Sequence, residues 1–188
     1  MPLTYYKYYQ TENLFGQPFP ELIEFLYNYG NRGNLLDLGC GQGRDAIALA
    51  RLGFTVTGID TSKVGIAQMN EIGAAEKLNL VGRVEDMYSF SKFDEFDFIL
   101  LDSMLHFANK EKEREKGLIQ NIVSSIKNGC LLIVCIQDTG RKVQILHQAI
   151  NIGNELTRLT DQKFKYTYQD EKNGHKSVSD YRMIVFQK

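Results

Sequence analysis

Residues 35–45 read LLDLGCGQGRD, and Gly39, Gly41 and Gly43 stand at alternate positions between an apolar run and the helical stretch AIALARLG. Where a strand feeds a helix, the helix start offers unpaired N–H groups and a positive dipole end, and glycine lets a ligand come close to the backbone. A sharp turn without a ligand is the plainer explanation of one glycine, and three at alternate positions favour binding. The pattern is G-x-G-x-G, with Arg44 where a dinucleotide fingerprint carries its last glycine, and the Gly-Lys-Ser/Thr ending of a P-loop is absent. Pyrophosphate and nucleoside triphosphates therefore lose ground. Asp60, closing VTGID 17 positions beyond Gly43, offers a carboxylate able to accept from both hydroxyls of a ribose, which fits an adenosine-containing cofactor. The other reading of Asp60 is an acid stabilised at the start of the next helix, beside Thr61 and Ser62.

These residues need elements that bring strand ends together, and the hydrophobic periodicity supplies them. FPELIEFLYNYG predicts a leading helix with Leu22, Phe25, Leu26 and Tyr29 on one side, begun by Pro18 and Pro20 and stopped by Gly30. NLLDL predicts a buried strand, GRDAIALARLG a helix closed by Gly53, FTVTGI a second strand, and SKVGIAQMNEIGAAEKL a helix capped by Ser62. NLVGRVE is a weaker third strand and FDFILL a strong fourth, with Asp97 packing at its start. KEKEREKGLIQNIVSSI is a helix ended by Asn128 and Gly129, whose charged beginning, Asn109 to Gly117, reads as solvated. CLLIVCI is a fifth strand followed by the helical RKVQILHQAINIGNEL. KFKYTYQD and SVSDYRMIVFQK, around Asn173-Gly174, read as an antiparallel hairpin. Short apolar strands alternating with helices predict an α/β fold with a parallel sheet covered on both faces.

LLDLGCGQGRDAIALARLGFTVTGIDTS resembles motifs I and II of the class I S-adenosylmethionine-dependent methyltransferases, and GCGQGRD is similar to the small-molecule branch that includes tellurite-resistance and thiopurine-type enzymes. The resemblance implies a Rossmann-like, seven-stranded, mostly parallel sheet whose last strand inserts antiparallel between the fifth and sixth. It implies one methyltransferase domain over residues 1–188, with residues 1–30 as an N-terminal helical cap, and S-adenosyl-L-methionine as cofactor. By position, Asp37 would sit near the methionine amino group, Gly39, Cys40 and Gly41 would line the methionine end, Gly43 would be a further cofactor contact, Asp60 would hold the ribose and Thr61 would lie beside the adenine. Asp86, with Glu85 as its competitor, would meet the adenine amino group, and Met87 would lie against the ring. LLDSMLHFANK falls where the family's residues face the methyl group, so Leu101, Asp102 and His106 are placed there, the last two as tentative catalytic groups. Asp102 reads equally as a helix cap, and His106 as a loop histidine bonded to a backbone carbonyl.

Methyl transfer from a sulfonium mainly requires alignment and exclusion of water, and a general base matters for alcohols and amines more than for thiols, selenols or oxyanions. The acceptor is expected to be a small molecule, because the elements use almost all 188 residues and leave no recognition domain. A net charge of −1 offers no basic surface for nucleic acid. No apolar run is long enough to cross a bilayer and the N-terminus lacks a secretory core, so a cytoplasmic protein is expected. Three cysteines without a CxxC pair read as small buried residues, with Cys130 and Cys135 on opposite faces, and three histidines at unrelated spacing give no metal site. Tyr5, Tyr6, Tyr8, Tyr9, Phe15 and Gln17 are candidates to cover a cofactor, the tyrosines serving equally as a packed helix face; His175, Ser177 and Tyr181 are candidate rim groups. The alternatives are a protein that binds S-adenosylmethionine or S-adenosylhomocysteine without turnover, as a sensor or regulator, and a nicotinamide-dependent oxidoreductase. Nothing in the sequence fixes an oligomeric state.

Overall fold

The computed structural model describes residues 16–150, 156–169 and 176–188. Helix α1 (Pro20–Tyr29) is followed by β1 (Asn34–Leu38), α2 (Arg44–Arg51), β2 (Thr55–Asp60), α3 (Lys63–Ala75) and β3 (Leu80–Val84). A 3₁₀ turn at Phe93–Glu95 precedes β4 (Phe98–Asp102), and then come α4 (Lys112–Ser125), β5 (Leu131–Gln137), α5 (Arg141–Ile150), β6 (Thr157–Gln169) and β7 (Lys176–Gln187). Each sequence-predicted element is present among the described residues, most with ends shifted by up to three positions, while β6 begins six residues before the predicted KFKYTYQD. The predicted turn at Asn173-Gly174, residues 151–155 of the fifth predicted helix, Tyr5, Tyr6, Tyr8, Tyr9, Phe15 and His175 lie outside the described residues.

The seven strands form one sheet in the order β3-β2-β1-β4-β5-β7-β6, with β7 antiparallel to both β5 and β6. The chain winds outward from β1 to β3 and then returns to β4, so the strand order reverses between β1 and β4. In an open α/β sheet the crevice for a ligand lies there, beyond the carboxyl ends of the strands.

Alternation along the strands divides the core into two layers. Leu22, Leu26, Leu35, Leu49, Val56, Ile66, Leu100 and Ile133 pack in one, with α1, α2 and α3; Leu36, Ile99, Leu101, Leu118, Ile122, Leu132, Val134 and Leu146 pack in the other, with α4 and α5. Cys130 belongs to the second layer and Cys135 to the first, as their odd separation predicts. The same parity decides which polar residues can meet. Asp37 shares a face with Leu35, Asp60 with Val56, and Asp102 with Leu100, so all three carboxylates stand on the α1–α3 side at the carboxyl ends of β1, β2 and β4. Leu101 is turned the other way and is fully buried.

The antiparallel β6–β7 pair closes the first layer. Phe19, just before α1, is fully buried against Phe164, Tyr166 and Tyr181, with ring centroids 5.0, 4.7 and 4.8 Å away. Asp97 holds the edge of β4, accepting the N–H of Asn34 at 2.8 Å and pairing with Lys127 at 2.7 Å. Helix α3 lies so close to the glycine turn that a Cβ on Gly65 would stand 2.5 Å from the carbonyl oxygen of Gly41. Gly65→Ala should therefore lower the unfolding temperature, with a net loss of about 1–3 kcal/mol from the forced separation. The sign is informative, since alanine otherwise favours a helix interior by about 1 kcal/mol over glycine; a raised melting temperature would show that α3 does not need this approach.

Candidate functional site

The glycine turn joins β1 to α2 through three left-handed glycines, with φ of +75° at Gly39, +58° at Gly41 and +84° at Gly43. Its amides largely hold the turn itself. Gly39 and Cys40 both donate to the carbonyl of Ile59 at 2.8 and 3.1 Å, Gly43 donates to Cys40 at 2.8 Å, and Gly41 donates to Asp60 Oδ2 at 3.1 Å. The sequence reading assigned such N–H groups to a ligand, whereas these four are spent inside the fold. The glycines serve the backbone path, and at Gly39 they also make room for Met104.

Asp60 is buried and uses both oxygens, Oδ2 for Gly41 and Oδ1 for the N–H of Ser62 at 2.7 Å. Ser62 in turn caps α3 through Gly65 at 3.1 Å. Burial raises the Asp60 carboxyl above its usual range, opposed by those backbone bonds. The clamp between two loops is thus realised in the structure, and the lone pairs left over are what a ribose would use.

Across the crevice, Arg44 at the start of α2 pairs with Asp45 at 2.8 Å and, through the same nitrogen, with Asp102 at the end of β4. Its guanidinium also lies 4.9 Å from the centre of the Phe19 ring. Ser103 donates to Asp102 Oδ1 at 2.8 Å and lies 3.3 Å from the Tyr181 hydroxyl. Asp37, Asp45 and Asp102 are all buried, and one guanidinium cannot neutralise three carboxylates. Burial, reinforced by Asp45, pushes the Asp37 and Asp102 carboxyls well above the usual range despite Arg44. Asp37 Oδ2 is buried with no hydrogen-bond partner. A buried carboxylate oxygen of this kind is open to a further hydrogen-bond donor, and a cationic donor would also favour its charged form.

These groups open onto a cavity of about 910 Å³. Its wall includes Asp37, Gly39, Cys40, Gly41, Asp60, Met87, Asp102 and His106 from the predicted site, together with Gln17. Four predicted cofactor contacts stand outside the wall. Gly43 is the N-cap of α2 and packs toward Met69. Thr61 is exposed, and Leu101 faces the opposite layer of the sheet. Asp86 accepts the N–H of Tyr88 at 3.0 Å and pairs with Arg114 at 3.1 Å, so its carboxylate builds a turn rather than facing the cavity. Its competitor Glu85 is also outside, and Tyr88 joins Met87 on the wall instead.

Of the tentative catalytic pair, Asp102 is held in the ion cluster, while His106 is exposed at the wall. Partial desolvation and the Lys142 ammonium lower the His106 imidazole, with Glu115 acting in the opposite sense, which favours the neutral ring at neutral pH. Tyr181 contributes to the site through Ser103, and Ser177 is half-buried in β7. Sequence reasoning missed Arg44, Asp45, Ser103 and Met104 on the wall. The arginine and aspartate follow Gly43 directly, at the first two positions of a helix that points into the crevice, which was their available signal. It also missed Glu115, which lies within the charged run read as solvated and is 2% exposed. Glu115 precedes Leu118, Ile119 and Ile122 by three, four and seven positions, so helical spacing already put it on the buried face.

The family of tellurite resistance protein TehB matches residues 7–177. A 2-heptyl-1-hydroxyquinolin-4(1H)-one methyltransferase of Mycobacteroides abscessus is 33% identical over 125 residues, covering 65% of this chain and 54% of that protein. A probable S-adenosyl-L-methionine-dependent methyltransferase TehB of Haemophilus influenzae is 35% identical over 106 residues, covering 56% of this chain and 36% of its own. The chain spans about half the length, or less, of these curated relatives. Among solved structures, the N-methyltransferase NodS of Bradyrhizobium japonicum, in complex with S-adenosyl-l-homocysteine, superposes with a TM-score of 0.70 at 16% identity, covering 97% of this chain and 95% of that one.

The electrostatics of Asp37 give a signed prediction. An acid whose folded pKa is raised binds protons in the native state that the unfolded chain has already lost, so its contribution destabilises the empty protein as pH rises above about 4. Asp37→Asn should stabilise the empty protein at neutral pH by about 1–2 kcal/mol, with a gain that shrinks toward pH 4. Thermal melts at pH 4.5 and 7.5 measure this, and a variant less stable than the parent at pH 7.5 would show that the Asp37 charge is already satisfied.

Proposed function

This chain belongs to the TehB tellurite-resistance family, and from that membership we propose that it transfers a methyl group from S-adenosylmethionine to a small-molecule nucleophile in the cavity between β1 and β4. The observation that carries the reading is the buried, unpartnered oxygen of Asp37 in a cavity with more carboxylates than cations, which suits a ligand bearing an ammonium and a sulfonium. A volume of about 910 Å³ is ample for the cofactor and a small acceptor. The named relative from Mycobacteroides abscessus acts on a small heteroaromatic molecule, and NodS was crystallised with the demethylated cofactor, which support the same class.

In this reading Asp37 takes the cofactor's ammonium, Gly39, Cys40 and Gly41 lie along the methionine end, Asp60 accepts from the ribose, and Met87 with Tyr88 flank the adenine. When bound, the cofactor supplies a methyl group already activated on positive sulfur. The protein then orients the nucleophile, keeps water out and, where needed, takes a proton. For an acceptor that arrives protonated, His106 receives the departing proton as a neutral imidazole at the wall. Asp102 acts one step away, fixing Arg44 and Ser103. The three free cysteines suit a reducing compartment, and we take the cytoplasm as the site of action.

Calorimetry with S-adenosylmethionine and S-adenosylhomocysteine tests the first step; binding is expected, and Asp60→Ala should weaken it by about 1–3 kcal/mol through loss of charge-assisted bonds. Absence of binding to the parent protein would sink the proposal. Incubation with radiolabelled donor and a panel of tellurite, selenite, thiophenol, phenol and a primary amine separates an enzyme from a binding protein, since only the enzyme labels an acceptor. A further outcome distinguishes acceptor classes. His106→Gln should slow methylation of the phenol or amine by about 10²-fold or more and leave thiophenolate little changed; equal rates for all acceptors would remove His106 from proton transfer.

A further inference from the structure

Two neighbouring residues in the first turn of α4 each hold a segment that lines the cavity. Glu115 is 2% exposed, and its Oε1 accepts the N–H of His106 at 3.2 Å while Oε2 accepts the N–H of Phe107 at 2.5 Å. Arg114 pairs with Asp86 at 3.1 Å and places its guanidinium carbon 3.8 Å from the centre of the Tyr88 ring.

The loop that Glu115 holds is an uncommon one. It begins and ends on non-glycine residues in the left-handed region, Ser103 at φ +57° and Phe107 at φ +49°. Such residues persist where their surroundings over-determine them. Ser103 is held by its N–H to the carbonyl of Cys135 at 2.9 Å and by its hydroxyl to Asp102. Phe107 is held by Glu115 and by burial of its ring. Between them, Met104 and His106 stand on the cavity wall. Asp86 forms a turn through the N–H of Tyr88 and Ser89, and that turn carries Met87 and Tyr88 to the wall.

We propose that Glu115 and Arg114 are the positioning residues of the cavity, Glu115 setting the 103–107 loop with Met104 and His106, and Arg114 setting the turn that presents Met87 and Tyr88. What the two walls receive rests on the methyl-transfer reading; the clamp is a property of the fold. A carboxylate is needed because two adjacent amides converge on it from one side. Glutamine retains a single acceptor and alanine none, so the series Glu, Gln, Ala should loosen the loop in steps. His106 faces Glu115 from α4 and Lys142 from α5, and these two charges act on its ring in opposite directions. Removing the Glu115 charge leaves Lys142 unopposed.

The test uses the full chain and NMR. In the parent protein the amides of His106 and Phe107 should be protected from hydrogen exchange; they should exchange about tenfold faster or more in Glu115→Ala, with Glu115→Gln between. The His106 ring should titrate at lower pH in Glu115→Gln than in the parent, a change that loss of packing alone does not produce. Arg114→Met should leave those amides unaltered and weaken S-adenosylhomocysteine binding about threefold, the scale of an exposed cation–π contact. Unprotected His106 and Phe107 amides in the parent protein overturn the proposal, even if no variant folds. So does a Glu115→Ala protein whose loop amides stay protected. Failure of the parent to bind S-adenosylhomocysteine refutes the methyl-transfer reading instead and leaves the amide result standing, so the two failures are told apart.

Discussion

The organisation of this protein depends on one partly buried guanidinium. Arg44 reaches from the first position of α2 to the end of β4, and its partners are Asp45, the next residue of α2, and Asp102, the last residue of β4. A buried ion pair is weak evidence for stability, because desolvation offsets much of the Coulomb attraction. Removing one member, however, strands the other and costs about 3–5 kcal/mol. The cluster therefore fixes the width of the crevice more than it strengthens the fold. Phe19 extends the same constraint outward, since Arg44 lies over its ring and the ring packs on Phe164, Tyr166 and Tyr181 of the terminal hairpin. The segment before α1, the centre of the sheet and the last two strands thus meet at one charged side chain.

Asp60 plays the corresponding part for the other half of the site. A single carboxylate ties the glycine turn to the start of α3, and the closeness of Gly65 to Gly41 follows from that clamp. The three glycines of the opening motif look different in this light. Their positive φ values route the chain so that its amides point at Ile59, Cys40 and Asp60, and the ligand-facing part of the turn is side chain and carboxylate as much as N–H.

The architecture was legible because it follows from short-range patterning. Apolar strands alternating with amphipathic helices, punctuated by Gly30, Gly53 and Gly129, leave few arrangements other than a wound parallel sheet, and the motif pair around Gly39 and Asp60 selects among them. Asp37, Asp60 and Asp102 could be placed at the cavity wall because they sit at the carboxyl ends of β1, β2 and β4, and His106 because it lies in the loop that leaves β4. Leu101 could not be placed by adjacency to Asp102, since consecutive strand residues point to opposite faces. Asp86 is turned away from the cavity for a different reason: a carboxylate beside a turn is easily captured by the nearest N–H, here that of Tyr88. Glu115 was hidden by its neighbours, because the run of charges around it describes the exposed side of α4 while its helical phase puts it with Leu118 and Ile122.

The two halves of the cavity are built on opposite electrostatic principles. Around Asp37 and Asp102 the fold concentrates negative charge in a dry place and leaves part of it uncompensated, which is costly for the empty protein and favourable only when a cation arrives. Around His106 and Tyr88 it does the reverse. Every carboxylate named there is spent on a structural partner, Glu115 on two amides and Asp86 on Arg114 and an amide, so the walls present an imidazole, an aromatic ring and thioethers rather than free charge. In the methyl-transfer reading the first half would hold a cationic donor, and the second half would distinguish acceptors by shape and by whether they need to lose a proton.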